Sequence, residues 1–588
     1  RGLGDVYKRQ VHDKDFSSWK NNICIAADDG DEAIHAEQAD RGSDTLLLKN
    51  TSQPRLGFRV NKIYIDSYYM DPQTKKYPEA NRELMKQFNE GMLVFNYIGH
   101  NDPEVGFTGE GLFSRYEMEH LTNTRLPLFI TITCDYCQFD AEDVSAGENV
   151  FLNPSAGAIA LITTTRVVYT DGNDKINQRL MKRLLERDSN GSPLRIGDVL
   201  KLAKRDFNTE IDKNKLNYVL IGDPALKLAY PEHSIQVTRI NGNSGEKNIE
   251  MIPGKNYTVE GEIRSHQNEL LSDFNGYIYY NLYDKEKQFT TLAHQDKKTW
   301  TYTHRPDLLT TGKGTIQNGI FRITVALPID NSHSGKSGLL NLYAYDESGR
   351  EANGYTDKLI VSTAVEPITE DIQGPDIEFA GINDDSFTEG ILVNNPATFV
   401  CKFSDPSGIW NGNSLGKQMT LSLDGACIEE NVARYYKPIA ESEIPEGEFI
   451  YPLPRLSNGL HTLTFKVFDT LGNSSEVTIA FEVKENSETY TISLEEEPAT
   501  ERATISCQDQ NGNDVTESKH TRISVTNTLG EEIWSYETTE NNPFPLTWNL
   551  QDNNGKRVSA GQYYCKGYFE TSAGTIVTPA KKIVVITQ

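Results

Sequence analysis

Cysteine is scarce, with seven in 588 residues. That is too few for the disulfide scaffold on which small secreted domains rely. Cys401/Cys427 and Cys507/Cys565 fall two to a region, so a single bridge in each is allowed, and the odd count leaves at least one free thiol. Basic residues are also in short supply: 58 Lys and Arg stand against 84 Asp and Glu, for a formal charge of −26. That balance argues against a nucleic-acid partner, because phosphate binding needs basic patches. No apolar run approaches the roughly 18–20 residues of a membrane-spanning helix. The longest, such as 156–163, are strand-sized. No Met and no signal peptide open the chain. Its first ten residues (RGLGDVYKRQ) resemble a cloning or assembly scar and are set aside from fold reasoning. The native protein is expected to begin well upstream.

The length suits about three to five domains at roughly 100–200 residues each. The chain changes character near residue 233. Before it, apolar runs at 22–27 (NICIAA), 62–69 (KIYIDSYY), 92–99 (MLVFNYIG), 126–133 (LPLFITIT) and 156–165 (AGAIALITTT) read as buried strands. Helical spacing appears at 79–89, 175–187 and 194–207. Such alternation predicts an α/β domain over 11–232 with a mainly parallel sheet, closed by 216–228. Beyond 233 the helical period vanishes. Short alternating strands follow, among them 276–283, 339–345, 397–403, 461–468 and 562–569, separated by Gly, Asn, Asp and Pro turns. They predict three all-β sandwich modules over 233–370, 371–486 and 487–588. The Pro/Asp/Gly-rich stretch at 373–375 and the polar run at 484–489 mark the boundaries.

Two of the predicted strands run into reactive residues: 92–99 into His100, and 126–133 into Cys134. Ligands of open α/β sheets sit beyond the carboxyl ends of the strands. Adjacent parallel strands, about 4.8 Å apart, would bring both side chains to one edge. An imidazole there takes the thiol proton, and the thiolate attacks a carbonyl. The backbone N–H groups of Asn101 and Cys134 are the oxyanion candidates. Other readings of the same residues stay open. A Cys ending an apolar strand is commonly a core residue, and a His after a strand is commonly a loop residue. Cys134-Asp-Tyr-Cys137 also spells C-x-x-C, which suits a redox pair or half a zinc site, although no second Cys pair or clustered His completes the latter.

Tyr97-Ile98-Gly99-His100, the strand leading to Cys134, Gln138-Phe139-Asp140 and the later Gly222-Asp223-Pro224 together resemble the gingipain family of cysteine peptidases. The resemblance covers roughly 11–232. It implies a caspase-like fold with Cys134 as nucleophile, His100 as general base and acid, and Cys137 outside the chemistry. The family usually has Gly directly after the histidine, where this chain has Asn101. A third carboxylate is implied upstream, in Ala27-Asp28-Asp29-Gly30-Asp31-Glu32, with Asp31 the preferred residue and Asp28, Asp29 and Glu32 the alternatives. A solvated acidic turn is the bland reading of that run. Calcium is conceivable there, but EF-hand spacing is lacking, and no cofactor is required. Loops 166–173 and 106–113 are placed to line the substrate pocket.

The tail narrows the resemblance. FSDPSG at 403–408, LDG at 423–425 and GLHTL at 459–463 are similar to the type IX secretion sortase branch of the family. The last module, with SVTNTLGEEIW at 524–534 and WNL at 548–550, resembles a FlgD-like Ig domain. This implies an enzyme at the extracellular face of the outer membrane. It would remove C-terminal sorting domains from secreted cargo, work beside other outer-membrane secretion components, and transfer the new C-terminus through a thioester to an amine of anionic lipopolysaccharide. A general secreted endopeptidase and a catalytically silent surface-binding protein are the rivals from other classes.

Overall fold

A computed structural model describes residues 16–586 apart from 50, 52–53, 103–105, 108–110, 155, 207–212, 296, 330–335, 363–370, 384–391, 394, 413–415, 430, 440–443, 484–489, 496–497, 510–512, 514, 516–517, 528–531, 540–542 and 572–573. The opening stretch set aside above and the module boundaries at 370 and 487 lie outside the described residues.

The first part of the chain alternates β1 (Asn22–Ala27), α1 (Ile34–Leu47), β2 (Arg59–Tyr64), α2 (Pro78–Glu90), β3 (Val94–Ile98), the small hairpin β4 (Gly106–Phe107) and β5 (Phe113–Ser114), α3 (Arg115–Glu119), β6 (Leu128–Ile132), α4 (Ala146–Leu152), β7 (Ala160–Thr164), α5 (Thr170–Leu184), α6 (Ile196–Arg205) and β8 (Tyr218–Ile221). The main sheet runs β2-β1-β3-β6-β7-β8. All its pairings are parallel except β7 with β8. Helices cover both faces, so the strands must be apolar on both sides. Val94 and Ile98 join Ile130 and Ile132 on the face of α1, α5 and α6. Phe95 and Phe129 point the other way and meet Phe88 of α2, with ring centroids 5.1–5.6 Å apart. Each such aromatic pair adds about 0.5–1.5 kcal/mol beyond area burial. Pro78 opens α2, where its missing N–H costs nothing, and Gly91 follows its end.

The remainder is all-β. In the first module eight strands join into one sheet, which closes on itself where Glu351–Thr356 pairs in parallel with His233–Ile240, while the other strands form a three-stranded sheet and a two-stranded hairpin. Strand alternation alone does not reveal such closure. The second module stacks a four-stranded on a five-stranded sheet, and the third a three-stranded on a five-stranded sheet, each around its own core. All seven cysteines are free thiols, so neither Cys401/Cys427 nor Cys507/Cys565 is bridged. Cys401 faces a core while Cys427 lies exposed; Cys507 and Cys565 are buried on different sheets. Among the described residues no helix is long and apolar enough to cross a membrane.

A hairpin of the first module, Lys287–Thr290 with Thr301–His304, grips the edge of the α/β sheet. Lys62 of β2 donates to the Thr303 carbonyl at 2.9 Å. The Asp66 carboxylate accepts the backbone N–H groups of Ala293 and His294 at 2.7 and 2.9 Å. Buried Lys20 pairs with Glu351 at 2.9 Å. The His304 ring is pushed down to about 3, first by burial and then by the cations Arg59, Lys62 and Lys49. Its stabilising effect is therefore fully present above the unfolded imidazole value near 6.5. It is lost as pH falls from there towards 3, because the unfolded ring takes up a proton that the folded one refuses. Acidification from pH 7 to about 4.5 should cost this region about 2 kcal/mol through His304 alone. Hydrogen exchange of Thr301–His304 at the two pH values would measure it, and His304→Gln should remove most of the pH dependence.

Candidate active site

β1, β3 and β6 are neighbours in register: Ala27 pairs with Ile98, and Ile98 with Ile132. One residue past that level stand Asp28 and Gly99; two past it stand His100 and Cys134. Three adjacent strand ends thus deliver a carboxylate, an imidazole and a thiol to the carboxyl edge of the sheet.

Asp28 is 2% exposed and organises the edge. One of its oxygens accepts the His100 backbone N–H at 2.6 Å. The other meets His35 Nδ1 in a very short contact and also accepts Gly30 N–H at 3.3 Å. Gly99 makes this approach possible. A Cβ there would lie 2.5 Å from the Asp28 carboxylate and 2.7 Å from the Tyr97 hydroxyl. That hydroxyl in turn donates to the His100 carbonyl at 2.7 Å. Asp29 is also buried and accepts the Tyr77 hydroxyl at 2.6 Å. The Tyr77 ring packs edge-on against His294 of the docking hairpin. The acidic loop is therefore braced from the first all-β module as well as from the sheet.

Asp31, Glu32 and Ala33 all have left-handed φ, at 57°, 57° and 63°. Three such residues in succession cost roughly 1–2 kcal/mol each, and strain of this kind gathers at functional sites. The turn carries the Asp31 carboxylate back over the edge. Its Oδ2 lies 3.6 Å from His100 Nε2 and 3.7 Å from His35 Nε2. The two rings stand perpendicular, with centroids 5.0 Å apart. Burial opposes a charge on His35, but Asp28, then Asp31 and Asp29, outweigh it, and the pKa of the ring is raised. Asp31 thus sits beside the imidazole of His100, whereas Asp28 holds the backbone beneath it. Glu32 is exposed on the same turn.

Cys134 is partly buried. Its thiol donates to the Val168 carbonyl at 3.3 Å and accepts Val168 N–H at 3.5 Å. Asp135, immediately after it, is left-handed with φ 48°, which turns the chain sharply off β6. Thr164 Oγ1 donates to the Thr133 carbonyl, and Cys137 N–H to the Thr164 carbonyl at 3.0 Å, so the loops after β6 and β7 are fastened together. The Asn101 side-chain amide donates to the Cys134 carbonyl at 3.2 Å and ties the histidine loop to the cysteine loop. Cys137 is 1% exposed, and burial pushes its thiol up to about 11. In the loop 166–173, Arg166 forks onto Asp140 at 3.0 and 2.6 Å and holds that carboxyl below its usual range. Val167, Tyr169 and Phe139 stand exposed. In the other expected wall, Phe107, Leu112 and Phe113 are buried, and 108–110 lies outside the described residues.

His35 was not singled out from the sequence. Its only signal is an Asp–His spacing of four, Asp31 to His35, across the start of a helix.

Residues 6–229 match the family model of peptidase family C25. This part of the chain is gingipain-like. The match begins within the opening stretch set aside as a scar. No curated protein matches. Among solved structures, the chain is similar to dimeric latent PorU from Porphyromonas gingivalis, with 18% identity, a TM-score of 0.32, and coverage of 97% of this chain and 64% of that one. The complex of RgpB pro- and mature domains from the same organism has 17% identity and a TM-score of 0.31, covering 61% of this chain and 73% of that one. The Ig1-2 module of a Drosophila receptor protein tyrosine phosphatase has 11% identity and a TM-score of 0.17, covering 36% and 98%. The chain thus spans just under two thirds of the PorU structure, and the gingipain-like domain is followed by all-β modules.

Proposed function

We propose that the protein is a cysteine endopeptidase of the outer-membrane surface that removes the C-terminal sorting domain of type IX secretion cargo. The observation that supports this most is the delivery of Asp28, His100 and Cys134 to one sheet edge within residues that match a peptidase family. His100 takes the Cys134 proton, and the sulfur bonds to the scissile carbonyl carbon. The same proton passes to the departing amine as the C–N bond breaks. The resulting thioester is resolved by water, or by an amine of anionic lipopolysaccharide, which gives transfer in place of hydrolysis. Exposed Phe139, Val167 and Tyr169 offer apolar contact to a peptide beside the thiol. The three all-β modules dock cargo and other secretion components.

The test is intact-mass analysis of a cargo protein bearing a sorting domain, incubated with this chain or its Cys134→Ala variant, with and without added amine. Loss of the sorting domain with the unsubstituted chain only, and an amine-sized mass increment when amine is present, is the expected result. Digestion of generic peptides without cargo cleavage would instead indicate a general endopeptidase. No turnover of either would indicate a surface-binding protein.

A further inference from the structure

The edge described above holds more ligating groups than thiol chemistry uses. His35 is not needed to activate Cys134, yet its Nε2 and that of His100 converge on one carboxylate oxygen of Asp31, at 3.7 and 3.6 Å. Ligand atoms around a four-coordinate zinc ion, each about 2.0–2.1 Å from the metal, are separated by about 3.3–3.4 Å. The two Asp31–histidine distances exceed that by only a few tenths of an ångström, and the Asp31 side chain is 49% exposed.

The support behind these groups is already in place. Metal-bound histidines usually give their other ring nitrogen to a carboxylate, which fixes the ring and strengthens the ligand. Asp28 meets His35 Nδ1 in this way and leaves Nε2 facing Asp31. Its second oxygen takes the His100 backbone N–H, so one buried carboxylate positions both imidazoles. A ring nitrogen from each histidine and an oxygen of Asp28 lie within 4.8 Å of one another. Gly30 keeps the approach open: a Cβ there would come within 3.1–3.2 Å of the His100 ring. Two imidazoles and one carboxylate suit zinc far better than the all-oxygen shells calcium selects.

We infer that His35, His100 and Asp31 form a binding site for a zinc-class divalent cation, with Asp28 holding the ligands from behind. Three protein ligands leave one coordination position for water or an incoming group. A cation there occupies the lone pair of His100, so the loaded protein cannot take a proton from Cys134. That second consequence rests on the peptidase reading; the binding site does not.

The test is calorimetric titration of Zn2+ into the Cys134→Ala chain, which removes the thiol as a competing ligand. One ion per chain is expected. Affinity should fall by about a hundredfold in Cys134→Ala/His35→Gln and at least about tenfold in Cys134→Ala/Asp31→Asn. Asp31 is half-exposed, so its replacement tests the site even if loss of buried His35 impairs folding, which circular dichroism would report. Co2+ should give the d–d spectrum of a four-coordinate site that Asp31→Asn perturbs. No Zn2+ binding, or binding unchanged by Asp31→Asn, would overturn the inference. In the unsubstituted chain, Zn2+ should suppress turnover and a chelator restore it. Binding as expected in a protein without any turnover would uphold the metal site and count against the peptidase reading alone.

Discussion

Cys134→Ala should abolish turnover, with a fall of at least about 10⁴-fold in kcat, while Cys137→Ser should keep activity within a few-fold of the unsubstituted chain. The two thiols are three residues apart, and the C-x-x-C spacing alone treats them as equals. The structure separates them. Cys134 stands two residues past the end of β6 at the open edge and is partly accessible. Cys137 has turned back into the core against Gly147, where an added Cβ would lie 2.7 Å from the Cys137 Cβ. Burial drives its thiol up to about 11, so very little thiolate is available near neutrality. A redox pair would make the opposite prediction, since there both sulfurs are needed and Cys137→Ser would be as damaging as Cys134→Ala. Alkylation gives an independent reading. Cys24, Cys401, Cys507 and Cys565 are buried with raised thiol pKa values. Brief treatment of the native chain with iodoacetamide, followed by peptide mass mapping, should therefore mark Cys134 and exposed Cys427, and only the first should track loss of activity.

The parts of this molecule that could be read from its sequence are those encoded by local pattern. The strands β1, β3, β6 and β7 lie within apolar runs because both sheet faces are covered, and such runs allow few other structures. His100 and Cys134 could be picked out because each directly follows one of these runs. Helix α1 (Ile34–Leu47) was missed for a physical reason. Before Leu46 and Leu47 at its end, its buried stripe is built from small and polar side chains, His35, Ala36, Gln38, Ala39, Gly42 and Ser43, and Gly and Ser are weak helix formers. Without α1 there was no reason to bring His35 back to Asp28. The roles within the acidic run were equally hidden. Asp28 and Asp31 differ because the first continues a buried strand and the second sits in a left-handed turn, and neither fact is visible in DDGDE. The grip of Asp66 on Ala293 and His294 joins residues more than two hundred positions apart, which no local period encodes. The antiparallel direction of β8 was also beyond pattern, since a short apolar run reads the same in both directions.

Asp28→Ala should be the most damaging substitution that leaves both His100 and Cys134 in place. Its carboxylate is almost fully enclosed and answers three groups at once: the His35 ring, Gly30 N–H and His100 N–H. Removing it strands the His35 ring and two backbone donors in a site too tight for much water, given the contacts around Gly99. Breaking a buried charged contact of this sort costs about 3–5 kcal/mol, and a shifted urea midpoint would show it. Asp28→Asn should recover only part. The amide oxygen can still accept on one side, but the NH2 group must then face either the His100 N–H or the His35 ring. The catalytic effect is separable from the loss of stability. With the variant held fully folded at low temperature, kcat/KM should still be at least about 10²-fold down, because an error of 1 Å in the base is enough for a loss of that size. Asp31→Asn, by contrast, removes a half-exposed carboxylate and should leave the urea midpoint nearly unchanged. A pair of variants in which both lost activity and only Asp28 lost stability would assign Asp28 to the scaffold of the edge and Asp31 to the ring of His100. If Asp28→Ala kept its activity once folded, the buried carboxylate would be a packing element and the positioning of His100 would have to come from Tyr97 and Asn101 instead.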